Sequence, residues 1–165
     1  MANPTTPLRQ QVLEALQVKL QAISGNPTYF NTVKSTSVVL DPGKGPNIMT
    51  IPSTELPFFI IEPTDAGSKF YMPSLRLREE FQVTITARQD VEGPIHTRNK
   101  MQVWERLIAD IEVAMTRDIT LGGLVVDTRV QIPTPGFDLG ATTSIFVVQP
   151  VVCRLIRTYG SPWNS

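Results

Sequence analysis

Between Thr97 and Ile132 the chain reads TRNKMQVWERLIADIEVAMTRDITLGGLVVDTRVQI, and two hydrophobic periods follow one another within it. Met101, Trp104, Leu107, Ile108, Ile111, Ala114 and Met115 recur at the spacing of a helix with one face in a core. Arg98, Glu105, Arg106 and Glu112 fall mostly on the other side. Gly122-Gly123 then breaks the period, and Leu124, Val126, Val130 and Ile132 resume as every second residue of a strand. One of the two glycines is expected at positive φ in that turn.

A second amphipathic stripe, Leu8, Val12, Leu13, Leu16, Leu20 and Ile23, predicts an earlier helix. Thr5 or Thr6 is its expected cap, with Pro7 in the first turn, and Gly25 and Pro27 end it. Tyr29–Leu40 is rich in β-branched residues and reads as a strand, and Ile48–Ile51 as a weak one. Leu56–Glu62, LPFFIIE, is short and continuously apolar, as in a strand covered on both faces. Leu75–Arg88 alternates most clearly: Leu75, Leu77, Phe81, Val83, Ile85 and Ala87 against Arg76, Arg78, Glu80, Gln82, Thr84, Thr86 and Arg88. Glu79 falls on the apolar face, which predicts either a bulge at Glu79-Glu80 or a core that ends before it. The last strand, Ser144–Tyr159, is apolar on both sides and interrupted by Pro150.

Helix, two or three strands, helix, two strands: this order predicts an α+β fold, a mainly antiparallel sheet with both helices packed on one face. Leu16, Phe81, Val83, Trp104, Leu107, Ile108 and Ile111 are its expected core. Residues 1–165 read as one domain, with 1–4 and 160–165 as loose tails, since this length suffices for a core without staples. Of 14 prolines, most sit in connections, so long, stiff loops are expected at DPGKGPN (41–47) and PTPGFDLGATT (133–143).

Composition narrows the function. Lys+Arg and Asp+Glu are 15 each, against the basic excess expected of a protein that grips nucleic acid, although a neutral wall past which DNA slides is compatible with it. The single cysteine, Cys153, forms no intrachain disulfide. No apolar run is long enough to span a bilayer, and MANPTTPLRQ has no apolar signal core, so a cytosolic site of synthesis is expected.

Chemistry is sparse. The GKG of DPGKGPN lacks the phosphate-loop spacing and a following helix. His96 with Asp90 and Glu92 lacks paired-ligand spacing, so no metal site is expected. Glu79 and Glu80 point to opposite faces of a regular strand and form no acid–base pair. Neither His96 nor Cys153 has the partners of a nucleophilic triad. No catalytic residue or cofactor is assigned.

Four features carry a resemblance: the opening RQQVLEAL of residues 9–16, the alternating strand Leu75–Arg88, the helix ending in RDITLGGLV (117–125), and the last strand closing in YGSP (159–162). Across nearly the whole chain, their pattern and order resemble those of the tail terminator (tail completion) proteins of long-tailed bacteriophages. The resemblance implies a structural virion protein and not an enzyme. Such proteins form a ring, commonly of six copies, on the last ring of tail-tube subunits. They stop tube growth and present a surface to the head-side neck. Implied partners are further copies of itself, the tail tube protein, the neck or connector protein, and double-stranded DNA passing through the lumen without specific binding; no membrane is involved. The implied location is the head–tail junction of the virion, after assembly in the host cytoplasm. A neck or adaptor subunit on the portal side is the second reading, and a small enzyme or ligand-binding domain at the loop-rich end of the sheet the third.

Ring closure needs two different complementary patches per subunit. Ile145, Val147, Val151 and Leu155 alternate against Phe146, Val148, Val152 and Ile156, so a two-layer monomer is expected to leave one row in water. The expected subunit interface is Arg76, Arg78, Glu80 and Arg88 with Val147, Val151 and Leu155. Asp41, Lys44, Asn47, Phe137 and Asp138 are expected on loops facing the tube or neck.

Overall fold

The computed structural model describes residues 6–25, 27–41, 46–64, 68–72, 75–91, 97–135 and 143–158. It is a mixed α+β fold with two helices on one face of a sheet. The elements run α1 (Leu8–Gln21), β1 (Val38–Leu40), β2 (Phe58–Thr64), β3 (Lys69–Met72), β4 (Arg76–Asp90), α2 (Thr97–Thr116), β5 (Asp127–Val130), β6 (Thr134–Pro135) and β7 (Ser144–Thr158). The path across the sheet is β1-β2-β4-β7-β5, with β3 paired to β4 and β6 to β7. Among the described residues only the short β1–β2 pair is parallel; the other pairings are antiparallel.

Leu8, Val12, Leu16 and Leu20 of α1 are all buried. Pro7 occupies the N-cap position itself and no side chain caps the helix, so the expected cap at Thr6 is absent. Gln11 instead ties the helix to the residue before its cap, its side-chain amide donating to the Thr6 carbonyl at 2.6 Å. At Gly25, where φ is +80°, a Cβ would lie 2.7 Å from Thr32 Oγ1, so only glycine fits the turn.

The strand expected over Tyr29–Leu40 shrinks to β1. The Phe30 and Asn31 backbone N–H groups donate to the Asp110 carboxylate at 2.7 and 2.9 Å, and the Asn31 side chain adds a bond of 2.7 Å. This stretch is thus tied to α2 and not to a strand. Ile48–Thr50 is a 3-10 turn where a weak strand was expected, because the Asn47 side chain accepts the Met49 N–H. LPFFIIE becomes β2, and Phe58 to Ile61 are buried on both faces.

Beneath the helices lies one core, which takes in Leu16, Phe81, Val83, Leu107 and Ile111. Trp104 and Ile108 do not sit at its centre; they are half-buried and pack against its margin. Met101 is 39% exposed, so the inward stripe of α2 runs from Leu107 to Met115 and its first turns lie at the edge.

The helix-to-strand turn takes Leu121, Gly122 and Gly123 through φ of 50°, 70° and 88°. Leu121 bears the strain of a side chain in that region, offset by burying it at 4% exposure. Asp118 organises the turn by accepting from Thr120 N–H, Thr120 Oγ1–H and Gly122 N–H at 3.0, 2.7 and 2.7 Å. The Thr120 hydroxyl first, then the two amides, lower its pKa from 3.8 to about 2. A depressed carboxyl stabilises the fold above its ordinary pKa, and that contribution fades as pH falls towards 2. After the turn Val125, not Val126, enters the core, whereas within β5 the expected row holds, with Val130 opposite Val151 and packed against the core. Thr128 points inward, whereas Val126 and Ile132 are 47% and 89% exposed.

A Cβ at Gly122 or Gly123 meets nothing within 4 Å, so substitution there tests backbone strain alone. Gly122→Ala and Gly123→Ala should each cost about 1–2 kcal/mol in urea or thermal unfolding. A double variant that melts like the parent means the turn has another conformation open to it.

Candidate interaction surface

β4 and β7 pair without interruption from Arg76↔Thr158 to Asp90↔Ser144. No bulge lies at Glu79. Directly opposed residues share a face, so the register assigns every side chain of both strands to one side of the sheet. On the helix side Ala87 faces Val147, Val83 faces Val151 and Glu79 faces Leu155. Val147, Val151 and Leu155 are 0% exposed. They are core residues, and the expected interface row is the wrong one of the two. The row on the helix-free face is Phe146, Val148, Val152 and Ile156, alongside Arg78, Glu80, Gln82, Thr84 and Thr86. Nor is that row simply in water. Val152 is 7% exposed, and Phe146, Val148 and Ile156 are half-buried among the longer side chains of their neighbours.

Charged pairs flank the apolar row. Glu80 stands opposite Arg154 and 3.9 Å from Arg78. Arg154 forms a two-pronged ion pair with Asp127, and Arg129 approaches the same carboxylate at 3.3 Å. Hydrogen bonding from Arg154 is the main reason that the Asp127 pKa is lowered. Arg76 is exposed at the start of β4.

Arg88 belongs to a different structure. It is 8% exposed, and its Nη1 donates to the carbonyls of Ile48, Met49 and Ile51 at 2.9, 2.9 and 3.1 Å. It fastens the segment between β1 and β2 across one end of the helix-free face, where Phe58 and Ile60 are also buried. Arg88 is therefore an internal anchor and not an interface residue.

The expected loop contacts divide. Asp41 is 8% exposed, with its N–H bonded to the Ile61 carbonyl, so it continues the β1 edge and is buried instead of standing out on a loop. Asn47 is exposed, its side chain occupied by the Met49 N–H. Lys44, Phe137 and Asp138 lie outside the described residues, as do Glu92 and His96.

Two features had no forecast. Glu79 is fully buried where the core meets the last turns of the sheet, ion-paired to Arg9 of α1 and to Arg157 of β7, the latter at 3.3 Å. Arg9 also stands over the Phe81 ring at 5.1 Å. One isolated acid in an apolar row with arginines elsewhere was the only sign of it. The other is β3, an exposed strand whose Phe70, Tyr71 and Met72 are 52%, 71% and 39% exposed, next to Leu75 at 74%. The apolar triplet FYM was its only signal.

Among the described residues no group of three His, Cys, Asp or Glu side chains is placed to hold a metal. Cys153 is buried, and desolvation raises its thiol pKa to about 12. A groove of about 610 Å³ runs between the start of α1 and the β2 edge, with Leu13, Leu40, Ile61, Pro63 and Phe81 in its lining. A polar hollow of about 400 Å³ lies between Asn31, Gln89 and the first half of α2. The sequence matches no model of a known protein family and no curated protein.

The two rows of β7 make opposite predictions. Val147→Asp places a carboxylate in a dry core and should cost about 4 kcal/mol or more, enough to unfold a marginal domain. Val148→Asp, on the helix-free face, should leave thermal stability within about 1 kcal/mol of the parent. Equal losses from both would mean that the register places the rows otherwise.

Proposed function

We propose that this chain is a structural subunit that assembles with copies of itself into a ring, six-membered by the resemblance, at the head-proximal end of a phage tail tube. There it ends tube growth and offers a surface to the neck. The observation that carries the reading is the helix-free sheet face. A row of apolar side chains, Phe146, Val148, Val152 and Ile156, runs along β7, with the Arg78–Glu80 and Asp127–Arg154–Arg129 groups around its Val152–Ile156 end. In a ring with its helices outside, this face lines the lumen, and an apolar row among charges of both signs makes a wall that DNA can slide past without being held. The open strand β3 extends the same surface with aromatic residues, which are favoured at interfaces.

The order and spacing of the helices and long strands, read above as resembling tail terminators, supply the tail context. Tail tubes assembled with the protein should have one fixed length and carry it at one end by negative-stain imaging. Without it they should grow to uncontrolled lengths. Tubes of the same length distribution in both cases sink the terminator reading.

The helix-free face mixes Arg76, Arg78, Arg129 and Arg154 with Glu80 and Asp127, on a chain of zero formal net charge. A lumen of this kind passes DNA without holding it. Duplex binding by the isolated protein should be weaker than about 1 µM at physiological salt and indifferent to sequence. Submicromolar affinity would make the arginines a DNA grip and the neutral lumen wrong.

A further inference from the structure

We infer that successive copies join through their sheet edges, β3 of one copy adding as an antiparallel strand to β5 of the next and continuing one sheet around the ring. The inference rests on the ring reading and specifies its joint. Among the described residues β3 pairs only with β4, and β5 only with β7, so each stands at an edge of the sheet. Monomeric proteins blunt such edges with charge, proline or cover. Here the edges are charged only in part, by Lys69 on β3 and by Asp127 and Arg129 on β5, while Phe70, Tyr71 and Met72 are all exposed and Ile132 beyond the end of β5 is 89% exposed.

The two edges match in direction and length. Because β3 and β7 each run antiparallel to β4, and β5 antiparallel to β7, β3 meets a neighbouring β5 antiparallel. Each strand is 4 residues long. Their offset also suits closure. Through β4, β3 lies level with residues 155–158 of β7, whereas β5 lies level with 151–154. Pairing β3 with the next β5 thus advances the register by one strand-length over the four strands β3, β4, β7 and β5. That is about one residue per strand, the ratio of an eight-stranded barrel with shear eight, whose strands tilt by about 36°. The connection from β4 through α2 to the parallel strand β5 is a crossover, and crossovers of this kind are right-handed in about 98% of cases. With that hand and the helices outside, the tilt is right-handed, as the twist of strands requires.

Face and register then name the neighbours. Phe70 and Met72 lie on the helix-free face with Arg78 and Arg76, as do Asp127 and Arg129 with Arg154 and Val152. In the antiparallel joint Phe70 stands opposite the next copy's Arg129, and Met72 opposite its Asp127. Phe70 already lies 5.9 Å from the Arg78 guanidinium, so its ring would be held between two arginines.

Opposed residues of an antiparallel pair have Cα atoms about 4.5–5.5 Å apart, within disulfide range. Phe70→Cys/Arg129→Cys should therefore form covalent multimers on mild oxidation of rings assembled on tail tubes, with loss of the monomer band and its return on reduction. Tyr71→Cys/Arg129→Cys places the thiols on opposite faces and should stay monomeric on the denaturing gel. Cys153, buried and with its pKa pushed up to about 12, does not interfere. Rings that cap tubes but show no crosslink in the first variant, or equal crosslinking in both, overturn the edge joint while the ring reading stands. If the parent forms no ring on tube ends, both fall.

Discussion

Fifteen-residue strands β4 and β7 pair along their whole length, and the rest of the fold takes its sides from that ladder. Opposed residues point the same way, so one alternating strand dictates the facing of its partner. β4 alternates unambiguously, with Leu77, Phe81, Val83 and Ile85 buried against the helices. β7 carries apolar residues in both rows, with Gln149 in one and Arg154 in the other, so its own preference is weak. Pairing with β4 is what sends Val147, Val151 and Leu155 inward and leaves Phe146, Val148 and Ile156 to the other face. A slip of one residue would exchange the rows and drive Arg154 and Ile156 into the core, so the inward position of Leu155 is protected by the cost of burying an arginine in its place.

At three places the core boundary is held by buried charge, each joining parts of the chain that packing alone would leave independent. Asp110 ties the turn after α1 to the middle of α2. Glu79 joins α1 to β7 through Arg9 and Arg157. Arg88 fixes the segment before β2 by its carbonyls. Breaking one partner in such a site leaves the other desolvated, so these groups specify where each connection docks more than they add to net stability.

Both helices, the strand Leu75–Arg88 and the positive φ at Gly122 and Gly123 were legible because each rests on local period or local backbone geometry. What the sequence hid was non-local. Tyr29–Leu40 has strand-like residues, yet its Phe30 and Asn31 amides go to a carboxylate about 80 residues away. Arg88 reads as one more polar position on an alternating strand until the carbonyls of Ile48, Met49 and Ile51 are seen around it. The interface row on β7 was a choice between two equal patterns, decided only by the partner strand. The short strand β3 lay below the length at which alternation can be recognised.

The ladder also governs the order of events in time. Its rungs run from Asp90↔Ser144 to Arg76↔Thr158, and side chains bonded along it are 54 and 78 residues apart, at Asp90–Ser144 and Glu79–Arg157. Closing loops of that size before any long-range contact rewards them is slow, so this topology belongs with the slower-folding mixed domains. Among the described residues β5 and β6 pair with nothing but β7, which comes after both in the chain. One of the two edges a neighbour would use therefore does not exist on a partly made chain. On the joint proposed above, copies could link through that edge only after β7 had been made and had paired with β5.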